Sequence, residues 1–127
     1  MIAKILIVDD DPSIRLLIGN FLRSKNHFVL EATDGAQGFE TAEREMPHLI
    51  IMDLVMPGVY GSTAAQKLLE YWRTSKIPIL VLSAFSDEPV RALMKENDHI
   101  RFMKKPFELK SLYKLVEEML PKGGYTP

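Results

Sequence analysis

Three short apolar runs, each stopping on an acid or a hydroxyl, constrain this chain more than any other feature. Ile5-Leu6-Ile7-Val8 stops at Asp9-Asp10-Asp11, His48-Leu49-Ile50-Ile51-Met52 at Asp53, and Ile77-Pro78-Ile79-Leu80-Val81-Leu82 at Ser83. A strand with one face in water alternates apolar and polar residues. A run without alternation reads as a strand buried on both faces, which is what a parallel sheet covered by helices requires. Phe28 to Leu30 and His99 to Met103 read as two weaker strands, and Pro78 is tolerable near the start of its own.

Amphipathic stretches separate these runs. Asp11 before Pro12 is a good helix cap with proline in the first turn. Ile14, Leu17, Ile18, Phe21 and Leu22 then recur at three- and four-residue spacing, predicting one apolar helix face. Asp34-Gly35 reads as a turn leading into a helix from Ala36 to Glu45, ended near Pro47. Pro57-Gly58 and Gly61 break the chain into a loop. A helix from Thr63 to Trp72 carries Ala65, Leu68, Leu69 and Trp72 on one face, with Trp72 as packing. Ser86-Asp87-Glu88-Pro89 starts a helix reaching Lys95, and Glu108 to Leu120 forms a last one with Leu109, Leu112, Val116 and Met119 inward. Five strand–helix pairs predict an α/β fold, a parallel sheet with helices on both faces. Right-handed crossovers reduce the options to a doubly wound sheet or part of a barrel.

The 127 residues suffice for one core, expected over residues 1–120, with 121–127 a flexible tail or linker stub by composition. At 46% apolar and 26% charged residues, the chain falls outside the disordered class. A net charge of −1 removes the electrostatic case for direct nucleic-acid or membrane binding. With no cysteine, thiolate metal sites, disulfides and cysteine nucleophiles are excluded. The N-terminal apolar run is too short for a signal core or a membrane span, so a cytoplasmic location is expected.

In an open parallel sheet, ligands bind beyond the carboxyl ends of the strands. That edge collects Asp9, Asp10, Asp53 and Ser83, and Lys104-Lys105-Pro106 follows the fifth strand. Clustered carboxylates raise each other's pKa, and a divalent cation relieves the conflict. Oxygen-only ligands favour Mg²⁺ over zinc. A carboxylate beside such an ion can attack a phosphoryl donor, and the transferred oxygens can be stabilised by the ion, an ammonium and a hydroxyl. Taken singly, Asp9 and Asp10 could be a solvated turn, Asp53 a strand-end acid, and Ser83 a small strand-end residue. Asp11 is explained as a helix cap. His27, His48 and His99 lack ligand spacing and read as structural or surface residues.

From Lys4 to about Leu120 the sequence resembles the receiver domain of bacterial response regulators. The motifs that carry the resemblance are Ile7-Val8-Asp9-Asp10-Asp11-Pro12, Asp53-Leu54-Val55-Met56-Pro57-Gly58 with Gly61, Leu82-Ser83-Ala84, and Lys105-Pro106-Phe107. The resemblance implies a flavodoxin-like sheet of strand order 2-1-3-4-5 flanked by five helices. It makes Asp53 the phosphoacceptor, Asp10 a direct Mg²⁺ ligand, Asp9 a ligand through water, and the backbone carbonyl of Val55 a further ligand. Ser83 becomes the hydroxyl that moves to the phosphoryl group, Ala84 the small residue leaving access, Lys105 the lysine, with a cis bond to Pro106, and Phe102 the switching aromatic. The implied donor is a histidine kinase or a histidine phosphotransfer protein. The surface of the fourth helix, fifth strand and fifth helix would then meet a partner or a second copy of the chain.

Tyr60 stands where the family often has Asp, Phe102 lacks a Tyr hydroxyl, and Asn97-Asp98-His99 replaces the usual Gly-Ala approach to the last strand. Apolar Val55 and Phe85, each two residues beyond Asp53 and Ser83, would hinder attacking water and prolong the aspartyl phosphate. A small phosphohydrolase with an aspartyl-phosphate intermediate is one alternative, but Val55 takes the place of its second acid. A receiver that only binds proteins is another, against which the complete acidic pair, Asp53, Ser83 and Lys105 argue. A flavodoxin-like cofactor carrier would need a phosphate-cradling loop after the first strand. The leading expectation is thus a switch, not an enzyme with turnover of other substrates.

Overall fold

A computed structural model describes residues 2–53, 61–84 and 97–120, and nine elements lie among them. They are β1 (Lys4–Val8), α1 (Pro12–Ser24), β2 (Phe28–Ala32), α2 (Gly35–Glu45), β3 (Leu49–Asp53), α3 (Gly61–Glu70), β4 (Ile79–Ser83), β5 (Ile100–Lys104) and α4 (Leu109–Met119). The helix expected over 86–95 and the tail 121–127 lie outside the described residues. The strands form one parallel sheet in the order β2-β1-β3-β4-β5, as expected. No helix among the described residues is long and apolar enough to cross a membrane.

Period-two alternation divides the central strands between two cores. Leu6, Val8, Ile50, Met52, Ile79 and Val81 face one side, where Ala42 of α2 and Ala65 and Leu68 of α3 cover them. Ile5, Ile7, Leu49, Ile51, Leu80 and Leu82 face the other, against Ile18 and Leu22 of α1 and Leu112 and Val116 of α4. Every residue of β3 and β4 is buried, which is why those runs show no polar alternation. At Gly38 the backbone of α2 lies almost on β1. A Cβ there would stand 2.8 Å from Cγ2 of Val8.

Some local expectations change. Asp34-Gly35 is no free turn but a helix start. The Asp34 carboxylate caps α2 by accepting from Gln37 N at 2.8 Å, while the Gln37 side chain reaches back past the cap and accepts from Thr33 N at 2.6 Å. α3 stops at Glu70, so Trp72 leaves the helix and is 77% exposed. The stop has a local partner: the Thr74 hydroxyl donates to the Leu68 carbonyl of the last helical turn at 2.6 Å, where the chain turns toward β4. Leu17 is 46% exposed instead of inward. At about 100° per residue it lies well round the helix from the buried Ile18 and Leu22.

His27 and His48 are structural, as expected. His27 Nδ1 accepts from Ala3 N, His48 Nδ1 from Lys4 N, both at 3.0 Å, so each ring fastens the start of β1.

Candidate functional site

Strand order brings the ends of β1 and β3 side by side, and the acids that terminate them meet there. Asp9 is 2% exposed and Asp53 7%, whereas Asp10 is solvent-exposed. One carboxylate oxygen from each of Asp9, Asp10 and Asp53 lies within 4.8 Å of the others. This is the switch point of the sheet: β1 feeds β2 on one flank, and β3 leads to β4 on the other.

Lys105 closes the cluster from beyond β5. Its ammonium stands 3.1 Å from Asp53 Oδ2 and 3.2 Å from Asp9 Oδ2. The Lys105 N–H donates to the Ser83 carbonyl at 2.9 Å, and the Lys105–Pro106 peptide is cis. Lys104 is exposed, so only one of the two lysines serves the cluster. Burial alone would pull the Lys105 ammonium down, but the Asp9 and Asp53 carboxylates outweigh it and hold its pKa above the ordinary value. Burial pushes Asp9 up. The Asp11 N–H and Lys105 oppose that shift, and the neighbouring Asp53 charge adds to it. Asp9 is therefore a carboxylate held in a site that resists its charge.

The turn after β1 is fixed by its own acids. Asp9 Oδ1 accepts from Asp11 N at 2.9 Å, and Asp11 Oδ1 accepts from Ser13 N at 2.8 Å, capping α1. Asp11 thus has the capping place read from its sequence position. Ser83 ends β4 almost fully buried, one residue past the register partner of Asp53, and Ala84 after it is exposed. Phe102 is half-buried in β5 opposite Val81, packed on the α2–α3 side of the sheet. Val55, Tyr60 and Phe85 lie outside the described residues. Arg15 went unread in the sequence. It sits on the first turns of α1 and donates to the Asp9 carbonyl at 2.6 Å.

Residues 5–117 match the family model of the response regulator receiver domain. The chain belongs to that family. Protein PilH of Pseudomonas aeruginosa is 32% identical over 118 residues, covering 93% of this receiver domain and 98% of PilH. The DNA-binding transcriptional regulator RpaA of Synechocystis is 32% identical over 124 residues, 98% of this chain but 52% of RpaA. The receiver domain thus spans nearly all of one relative and about half of another. Chemotaxis protein CheY4 of Vibrio cholerae has the same fold with a TM-score of 0.84 at 27% identity, covering 94% of this chain and 100% of that one. The receiver domain of a Pseudomonas aeruginosa sensor histidine kinase has a TM-score of 0.82 at 26% identity, over 94% of this chain and 98% of that one. That structure has a magnesium ion coordinated in its active-site cleft.

The donor set of this receiver domain fits such an ion. Among the described residues, three carboxylates face one ammonium, an excess of negative charge that a divalent cation suits. All the donors are hard oxygens, which suit Mg²⁺. Asp9, Asp10 and Asp53 are the described residues that could hold it.

Proposed function

We propose that this receiver domain accepts a phosphoryl group on Asp53 from a histidine kinase or histidine phosphotransfer protein, and that the modification switches a protein-binding surface. The observation that carries the reading is the Lys105 ammonium bridging Asp53 and Asp9 inside a cluster of three carboxylates at the sheet's switch point. Those are the parts an in-line phosphoryl transfer needs, a fixed nucleophile and charge stabilisation already in place.

An Asp53 carboxylate oxygen attacks the phosphorus of a phosphohistidine. The phosphorus–nitrogen bond breaks, the imidazole leaves with the bond's electron pair and takes up a proton, and Asp53 becomes an acyl phosphate. Asp9, Asp10 and Asp53 would hold Mg²⁺, which would supply positive charge to balance the phosphoryl oxygens; the Val55 carbonyl that the resemblance adds to this set lies outside the described residues. Lys105 is positioned to follow its Asp53 contact onto the new group. The Ser83 hydroxyl moves to the same oxygens, and Phe102 turns into the space that it leaves. Through these shifts the added charge reshapes the surface around β5, α4 and the segment preceding β5. A downstream protein, an effector domain, or a second copy of the chain reads that surface.

The chain's catalysis extends only to its own phosphorylation and dephosphorylation. Beside Lys105, the residues Ile14, Leu17, Ala84, Pro106 and Phe107 line an apolar groove of ≈ 360 Å³. It gives the donor protein an apolar footing next to Asp53. A cytoplasmic location agrees with such donors.

The test is incubation with acetyl phosphate and Mg²⁺ followed by intact mass. One added phosphoryl group is expected, absent from Asp53→Asn and from a sample with EDTA. No modification in any sample would leave the domain as a binding module.

A further inference from the structure

All four polar groups of Asp9 are engaged, and one partner comes from an unexpected place. Its N–H donates to the Ala32 carbonyl of β2 at 3.1 Å, continuing the sheet. Its two carboxylate oxygens accept from Asp11 N at 2.9 Å and Lys105 Nζ at 3.2 Å. Its carbonyl, past the last residue of β1, accepts from Nη1 of Arg15 on α1 at 2.6 Å. The guanidinium is held in turn by Glu31 of β2, with Nε 3.5 Å from Oε1. The other Glu31 oxygen takes Arg23 Nη2 at 3.1 Å, so the acid is itself anchored. The Arg15 side chain is 16% exposed, well enclosed for a charged group.

A peptide unit is a rigid plane. The Asp9 carbonyl shares its plane with the Asp10 N–H, so the bond that fixes the carbonyl also sets the direction in which Asp10 leaves β1. Asp10 is exposed, yet its carboxylate lies within 4.8 Å of those of Asp9 and Asp53. We propose that Arg15 is a positioning residue for the divalent cation: through the Asp9 carbonyl it fixes the Asp9–Asp10 peptide and keeps the two carboxylates converged. The inference rests on reading Asp9, Asp10 and Asp53 as the Mg²⁺ site.

Charge and positioning predict opposite signs. Arg15 is a cation beside a cation site, so on Coulomb grounds alone its removal tightens Mg²⁺ binding. If its task is to hold the peptide, removal loosens binding, because an outer partner that orients a ligand contributes to metal affinity.

Calorimetric titration with Mg²⁺, and with Mn²⁺ as a second hard cation, separates the two on wild type, Arg15→Ala, Arg15→Gln and Arg15→Lys. The expected result is a dissociation constant about tenfold weaker for Arg15→Ala. Arg15→Gln, which retains a polar stem should the alanine variant fold poorly, also weakens binding. Arg15→Lys, which can still donate to the carbonyl, restores most of the affinity. Unchanged or tighter binding by the folded alanine or glutamine variant overturns the positioning role and leaves the metal site standing. Wild-type protein that binds neither ion overturns the metal site and the positioning role together.

Discussion

Alanine at Gly38 and alanine at Gly19 have opposite effects on stability, although both replace a glycine inside a helix. The helix gains about 1 kcal/mol from either change, because alanine loses less backbone freedom on folding. At Gly38 the new Cβ lands 2.8 Å from Cγ2 and 3.0 Å from Cγ1 of Val8. Val8 is fully buried, packed between Ala32 and Met52 in the sheet, and β-branched, so it has no free rotamer to retreat into. Overpacking of this kind costs about 1–3 kcal/mol, leaving a net loss of about 1 kcal/mol, or roughly 4 °C in Tm. At Gly19 the Cβ meets Arg23 Nη1 at 3.2 Å, the end of an exposed side chain that can swing away. Loosening the exposed Arg23–Glu31 pair costs little, so the helical gain survives and Tm rises. Val8→Ala removes the clashing methyls, so the Gly38→Ala change becomes stabilising in that background, with coupling of about 1 kcal/mol or more. Urea unfolding of the four proteins and the double variant measures this. A Gly38→Ala chain as stabilised as Gly19→Ala refutes the close approach of α2 to β1. Because Asp9 follows Val8, the same clash should also weaken Mg²⁺ binding.

Three further outcomes follow from single side chains. Burial, then the charge of the chain's N-terminus, holds His27 below its ordinary pKa of 6.5. The unfolded chain therefore takes up that proton first, and stability falls as pH drops below 6.5 until the folded-state value is passed. His27→Gln flattens that part of a Tm-against-pH curve; an unaltered slope contradicts the assignment. Trp72→Ala changes stability by less than about 0.5 kcal/mol, and the wild-type tryptophan emits as a solvated ring freely quenched by acrylamide. A blue-shifted, protected emission would contradict its position. Lys105→Ala leaves the nearly buried Asp9 and Asp53 carboxylates without their shared cation. It lowers stability by about 2 kcal/mol without Mg²⁺, and Mg²⁺ then raises Tm more than in wild type. Equal Mg²⁺ shifts in the two proteins would mean that the ammonium does not stand in for the ion's charge.

What the sequence disclosed followed from how each signal arises. Continuous apolar runs mark strands covered on both faces, and β1, β3 and β4 fell where those runs predict. The acids just beyond β1 and at the end of β3 were placed at one edge by that argument alone, and Lys105 by its position after β5. Boundaries were less legible because contacts beyond the local pattern set them. The His48 N–H donates to the Lys4 carbonyl of β1 at 2.8 Å, continuing the β1–β3 ladder just before β3, and the Ile77 N–H donates to the Thr74 carbonyl at 3.1 Å in the turn before β4. Trp72 was assigned to a helix face because periodicity does not register the Thr74 hydroxyl that ends α3. Leu17 shared the spacing of its neighbours but not their arc. Arg15 left no signal, since its partner is a backbone carbonyl, which no side-chain pattern records.

The central claim is that Asp53, and no other acid of the cluster, carries the phosphoryl group. Treatment of the acetyl-phosphate-loaded protein with borohydride reduces an aspartyl phosphate to homoserine, and peptide mass spectrometry then locates it. The account predicts homoserine at position 53 alone, dependent on Mg²⁺. Homoserine at Asp9 or Asp10, or the same yield without Mg²⁺, would contradict it.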